Sequence, residues 1–177
     1  MPHSAFCILH CFLGVLLAGV MSCGYTVLGT SATGMSTRIA LAVPPVRNQS
    51  REPGLESYMT AALRRAIVQS SALSLVPESN APRRLQSVVR QFRVLPTSFD
   101  AGDNVVQYRI EAEAQIRLID RAADLPVLEQ DISVSAEYLI STVGIVRQNV
   151  VAREAAILRL AQRFAEKCTA LLEVTLL

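Results

Sequence analysis

Glu111 and Glu113 stand two residues apart in a stretch of strict alternation. On a strand that spacing puts two carboxylates about 7 Å apart on one face, within reach of acid/base work on a glycosidic bond. Arg109 and Arg117 bracket the pair, and alternating charge is also what the wet side of a half-buried strand presents. Other chemistry is scarce. His3 and His10 are the only histidines and both precede Cys23, so the chain beyond that cysteine cannot build a Ser-His-Asp or Cys-His site. Cys168 falls on an apolar helical stripe, where a small buried hydrophobe is expected rather than a nucleophile. Neither histidine nor a cysteine pair remains for a zinc site. The run Asp100-Ala101-Gly102-Asp103-Asn104 lacks the closing glutamate of a calcium loop and predicts a hairpin turn with Gly102 in the left-handed conformation. No catalysis, metal or cofactor is expected.

Basic side chains are more suggestive. Of 17 Lys and Arg, Lys167 alone is a lysine, and arginine presents a planar fork that matches phosphate and carboxylate. Codon usage in a GC-rich genome produces the same excess. Arg159, Arg163 and Lys167 recur every four residues on one helical face, preceded by Arg147, and form a candidate face for an anionic partner. An ordinary solvated face, partly balanced by Glu166, fits the same spacing. No nucleic-acid partner is expected.

The thiol of Cys23 carries the other chemistry. It follows an apolar run from Phe6 to Val20, and Val20-Met21-Ser22-Cys23 resembles a bacterial lipobox, in which the thiol accepts a diacylglyceryl group and cleavage leaves the cysteine as N-terminus. No Lys or Arg precedes the run, a departure from the usual export signal. An uncleaved anchor is the alternative, since about 18 apolar residues lie at the lower limit for spanning a bilayer. Residues 1–22 are thus expected as a signal peptide and 23–37, rich in Gly, Ser and Thr, as lipidated cysteine and tether. Residues 38–177 are long enough for one domain with its own core. With Cys23 lipidated and Cys7 and Cys11 in the leader, Cys168 has no partner for a disulfide.

The elements that must position these groups show in the period of the apolar residues. Ile39, Leu41 and Val43 alternate before Pro44-Pro45 and predict a strand. From Glu52 to Gln69 the period changes: Leu55, Met59, Leu63 and Ile67 recur every four residues, with Pro53 in the first turn of a helix. A short run, Leu73 to Val76, precedes three longer strands. Leu85 to Leu95 places Val88, Phe92 and Val94 on one face. Val105 to Ile119 alternates Val106, Tyr108, Ile110, Ala112, Ala114, Ile116 and Leu118 against polar residues, and Leu128 to Tyr138 repeats the pattern. A hairpin between these two sets Arg117 opposite Glu129 and Arg109 opposite Glu137. Asn149 to Val174 returns to helical period through Ile157, Leu160, Phe164, Cys168 and Leu171, with Asn149 as cap.

Two amphipathic helices and a sheet with one apolar face imply an α/β (α+β) two-layer sandwich. Both helices pack on one face of a mixed, mostly antiparallel sheet of four or five strands, in the order β-α-β-β-β-β-α. The other sheet face stays polar.

Cys23-Gly24-Tyr25 followed by Leu28-Gly29, Asn48 with Pro53-Gly54-Leu55-Glu56, the strand from Tyr108, and Glu154-Ala155 entering the last helix together resemble the lipopolysaccharide-assembly lipoprotein LptE family. The resemblance implies a non-enzymatic lipoprotein on the periplasmic face of the outer membrane. Such a protein plugs an LptD-type β-barrel, helps assemble it, and helps lipopolysaccharide reach the outer leaflet. It also implies contact with lipid A phosphates from a hairpin tip and from just before the last helix. Arg147 matches the second position; the tip carries Asp100 and Asp103 instead, with Arg93 and Arg109 as nearby substitutes. The alternative is a lipoprotein that activates a periplasmic enzyme such as a peptidoglycan synthase.

Overall fold

The computed structural model describes residues 38–141 and 146–176. The predicted leader, Cys23 and the tether lie outside the described residues. In chain order the elements are β1 (Ile39–Ala42), β2 (Arg47–Asn48), α1 (Leu55–Gln69), β3 (Leu73–Leu75), β4 (Arg83–Phe99), β5 (Val105–Asp120), β6 (Leu125–Leu139) and α2 (Val146–Leu176). The sheet runs β3-β1-β4-β5-β6, with β2 alongside β4 as its sixth strand. Strand β1 is parallel to β3 and β4, and β2 is parallel to β4. The β4-β5-β6 meander is antiparallel.

Both helices cover one face, as the two amphipathic stripes require. Leu55, Met59, Leu63 and Ile67 of α1 are all buried. So are Ile157, Leu160, Phe164 and Cys168 of α2, joined by Ala156, Ala161, Ala165 and Leu172, while Leu171 is only partly covered. They meet Ile110, Ala112, Ala114, Ile116 and Leu118 of β5 and Ile132, Val134 and Ala136 of β6 in one core. Each large side chain so buried contributes roughly 1.5–3 kcal/mol relative to exposure. The helices are fastened to each other by Ser70 Oγ donating to Glu173 at 2.7 Å and Tyr58 OH donating to Glu154 at 3.1 Å. Arg153 also donates to Glu52 at 2.6 Å.

Several local expectations are corrected. The sheet has six strands rather than four or five, because a two-residue strand such as Arg47–Asn48 is too short to show a period. Val88 does not share a face with Phe92. The pairing shifts between Val89 and Gln91, so Arg90 is an extra, bulged residue, and a bulge reverses the in/out alternation that follows it. Before it Leu85, Ser87 and Val89 point to the core; after it Phe92 does.

Helix α1 starts at Leu55, leaving Pro53 outside it, with Gly54 at the N-cap at φ 80°. A left-handed backbone there suits glycine. At the β4-β5 turn Asp103, with φ 60°, takes the left-handed position expected of Gly102; Asp tolerates it better than most residues. Asn149 lies inside α2 instead of capping it, and its amide accepts from the Ser141 N–H at 2.9 Å and donates to the Ser141 carbonyl.

Candidate functional site

The polar side of the sheet is a lattice of charge. Register puts Arg109 opposite Glu137 and Arg117 opposite Glu129, as predicted, and both pairs close, at 2.7 and 2.9 Å. Across β4 and β5, Arg93 donates to Glu113. Gln107 and Gln115 extend the lattice by donating to Glu137 and Glu129. Arg93 and Arg109 are thus diagonal neighbours on one face, each already engaged by a carboxylate.

The two glutamates that opened the catalytic possibility are drawn into different surroundings. Glu113 holds Arg93. Glu111 lines an open depression at the β6 edge with Ser133, Ser135, Arg163 and Lys167, and Glu113 does not line it. Among the described residues no three acidic, His or Cys side chains gather as a metal site. Burial pushes the Cys168 thiol far above its ordinary value, which withholds the reactive thiolate.

The basic face of α2 has a structural use that helical periodicity does not reveal. Arg159 donates to the main-chain carbonyl of Glu137, Arg163 to that of Ser135, and Lys167 to that of Ser133. These carbonyls belong to β6, which ends the sheet, and alternate residues of such a strand turn their polar backbone groups outward. The three cations therefore cover a sheet edge.

Arg147 stands apart. It is exposed in the first turn of α2 and makes no ion pair among the described residues. The amide of Asn149 holds this end of α2 against Ser141, beyond the end of β6. The same end of α2 exposes apolar side chains: Val146 is 78% exposed, and Val150 and Val151, three and four residues on from Arg147, are open as well. At the β4-β5 turn, Asp100 accepts the N–H groups of Gly102 and Asn104 at 2.8 and 2.9 Å. Hydrogen bonds from Asn104 and Gly102 hold its carboxyl below the ordinary range. The turn is therefore acidic and self-satisfied, and its charge does not match the basic tip that the resemblance implied.

The family described as LptE, lipopolysaccharide-assembly, matches residues 40–170, from β1 through most of α2. The chain belongs to the LptE family. LptE proteins form a non-enzymatic lipoprotein family, and membership puts this chain in lipopolysaccharide assembly. No curated protein matches the sequence. Among solved structures, the hypothetical protein CT253 from Chlamydia trachomatis superposes with a TM-score of 0.56 at 13% identity, over 77% of this chain and 96% of that one. Protein XCC0632 from Xanthomonas campestris does so with 0.56 at 13%, over 79% and 86%. At such identity the likeness establishes the fold alone.

Of the groups anticipated from the residues, Arg93 and Arg109 share the sheet face and Arg147 sits on the helix start. Cys23 lies outside the described residues. Sequence periodicity passed over Arg47 and Arg90, because one lies on a two-residue strand and the other is the bulged residue.

Proposed function

We propose that this LptE-family chain is held at the periplasmic face of the outer membrane by lipid on Cys23, after removal of residues 1–22. Residues 23–37 serve as tether, and the domain over 38–177 sits within an LptD-type β-barrel. There it helps the barrel assemble and assists delivery of lipopolysaccharide to the outer leaflet, without catalysis. The family match across both helices and the sheet carries this reading. A sheet face of paired charges suits the polar interior of a barrel. Lipid attachment supplies the anchor, because two or more acyl chains hold a protein stably on a membrane at about 0.8 kcal/mol per buried methylene.

For lipopolysaccharide contact we assign Arg147, a cation that shares the exposed start of α2 with Val146, Val150 and Val151. That combination fits a molecule with phosphates joined to acyl chains. Arg93 and Arg109 are secondary, since each already has a carboxylate partner. The test is lipopolysaccharide capture by Arg147→Glu at low and high salt. Loss should be greater at low salt, as screening requires. An absent or salt-independent effect removes Arg147 from the account.

A further inference from the structure

Val88 is an apolar residue on the polar side of the sheet, between the core-facing Ser87 and Val89. Longer side chains surround it. Register sets Arg47 of β2 beside Val88 on one flank and Gln115 of β5 on the other, with Gln86 and Arg117 paired one step along. Together with Gln49 and Arg90 these residues line a surface cavity of about 170 Å³ that has Val88 among its lining residues. Its charged lining residues are all arginines, from three different strands, and its other polar lining residues are glutamines.

The arginines are partly ordered already. Arg90 donates to Gln115 Oε1 at 2.6 Å, and Gln115 donates to Glu129 at 2.7 Å. Glu129 also pairs with Arg117 at 2.9 Å. Asp131 stands 4.0 Å from Arg90. Both carboxylates lie on β6 and neither lines the cavity. Each guanidinium has five N–H donors, so these contacts leave several on both Arg90 and Arg117. The Arg47 side chain has no hydrogen-bond or ion-pair partner among the described residues, its main chain being paired with β4.

We propose that this cavity is a binding site for a phosphoryl group, free or carried on a sugar, separate from Arg147 and the β4-β5 turn. A space of about 170 Å³, open to solvent on one side, admits a tetrahedral oxyanion together with the group that carries it. Three guanidinium groups from three strands line this one space and can together serve three tetrahedrally disposed oxygens; a peptide carboxylate offers only two, in one plane. The glutamine amides can serve ring hydroxyls, and Val88 gives an apolar floor for a ring face. The site does not depend on the barrel reading.

The test is side-chain ¹⁵N spectroscopy of the full chain in detergent, titrated with inorganic phosphate, glucose 6-phosphate, glucose and a glutamate-rich octapeptide. Inorganic phosphate and glucose 6-phosphate should move the Arg47, Arg90 and Arg117 Nε signals and the three glutamine amides; glucose alone should not. Tighter binding of glucose 6-phosphate marks a sugar phosphate as the ligand, and equal binding marks free phosphate. Arg47→Ala should weaken binding about tenfold, and Val88→Phe should close the cavity without changing charge, while replacing the exposed Arg65 of α1, which does not line the cavity, by Arg65→Ala leaves binding unchanged. The proposal is overturned if phosphate moves none of these signals, if Arg65→Ala weakens binding as much as Arg47→Ala, or if the peptide binds at lower concentration than either phosphate compound.

Discussion

Arg109 grips one carboxylate oxygen of Glu137 with two nitrogens, Nε at 2.9 Å and Nη2 at 2.7 Å, across the β5-β6 pairing. Eight residues along, Arg117 meets Glu129 in the same sense. A slip of β6 by one residue would break both pairs and also turn Ile132, Val134 and Ala136 out of the core. The charges therefore reinforce a register that burial already demands. Because both pairs are exposed, each should be modest in energy.

A double-mutant cycle of Arg109→Ala and Glu137→Ala, followed by urea unfolding, should return a coupling of about 0.2–1 kcal/mol. The coupling should shrink as salt is added. A value of several kcal/mol would mean that the face is desolvated in the isolated protein, contrary to its exposure.

Phe164 is fully buried on α2 among residues of the sheet and α1. Replacing it with alanine should cost about 3–5 kcal/mol in the same unfolding experiment, through lost burial and the cavity left behind. Leu158→Ala is the contrasting variant. Leu158 is 53% exposed, and its loss should change stability by about 0.5 kcal/mol or less.

Asn48 organises the entry to α1. Its amide donates to the Glu52 carbonyl and to Glu56 Oε2, and its oxygen accepts from the Ser50 N–H and hydroxyl. The bond from Asn48 is the main reason that the Glu56 carboxyl lies below its ordinary value of 4.5. A depressed carboxyl contributes stability that is present above the unfolded value and lost as pH falls through the folded one. Asn48→Ala should raise the Glu56 midpoint toward 4.5 in a carbon-detected titration. It should also reduce the stability lost on acidification below about pH 4. An unchanged midpoint would remove Asn48 as the cause.

The cover over β6 makes a different prediction. With Arg159, Arg163 and Lys167 all replaced by alanine, the carbonyls of Ser133, Ser135 and Glu137 lose their donors. An uncovered edge invites pairing with another chain. Concentration-dependent association of the triple variant should appear in sedimentation velocity while the parent stays unchanged. Continued monodispersity at high concentration would show that the cations do not guard the edge.

How much of this could be seen in the residues depends on the scale of the interaction. The alternation of β5 and β6 and the four-residue stripe of α1 are long enough for periodicity to specify strand, helix and even cross-strand partners. The reversal at Arg90 is different, since a bulge is a property of pairing with β5 and leaves no local mark in an otherwise apolar-polar run. Arg159, Arg163 and Lys167 look like an open cationic face along one helix; only the approach of β6 gives them carbonyl partners. Asn149 looks like a cap because its residue type fits, yet it serves Ser141 across the loop. Reading one unbroken alternation from Leu85 to Leu95 put Val88 with Phe92 on the wrong face, and the cavity around Val88 also needs the short strand β2.

The central claim is tested most directly by purifying the tagged full chain from detergent-solubilised outer membranes and analysing both its partners and its N-terminal peptide by mass spectrometry. The account predicts a stoichiometric LptD-type barrel and a triacylated Cys23. Recovery of a lipidated chain with a cell-wall synthase and no barrel would contradict it.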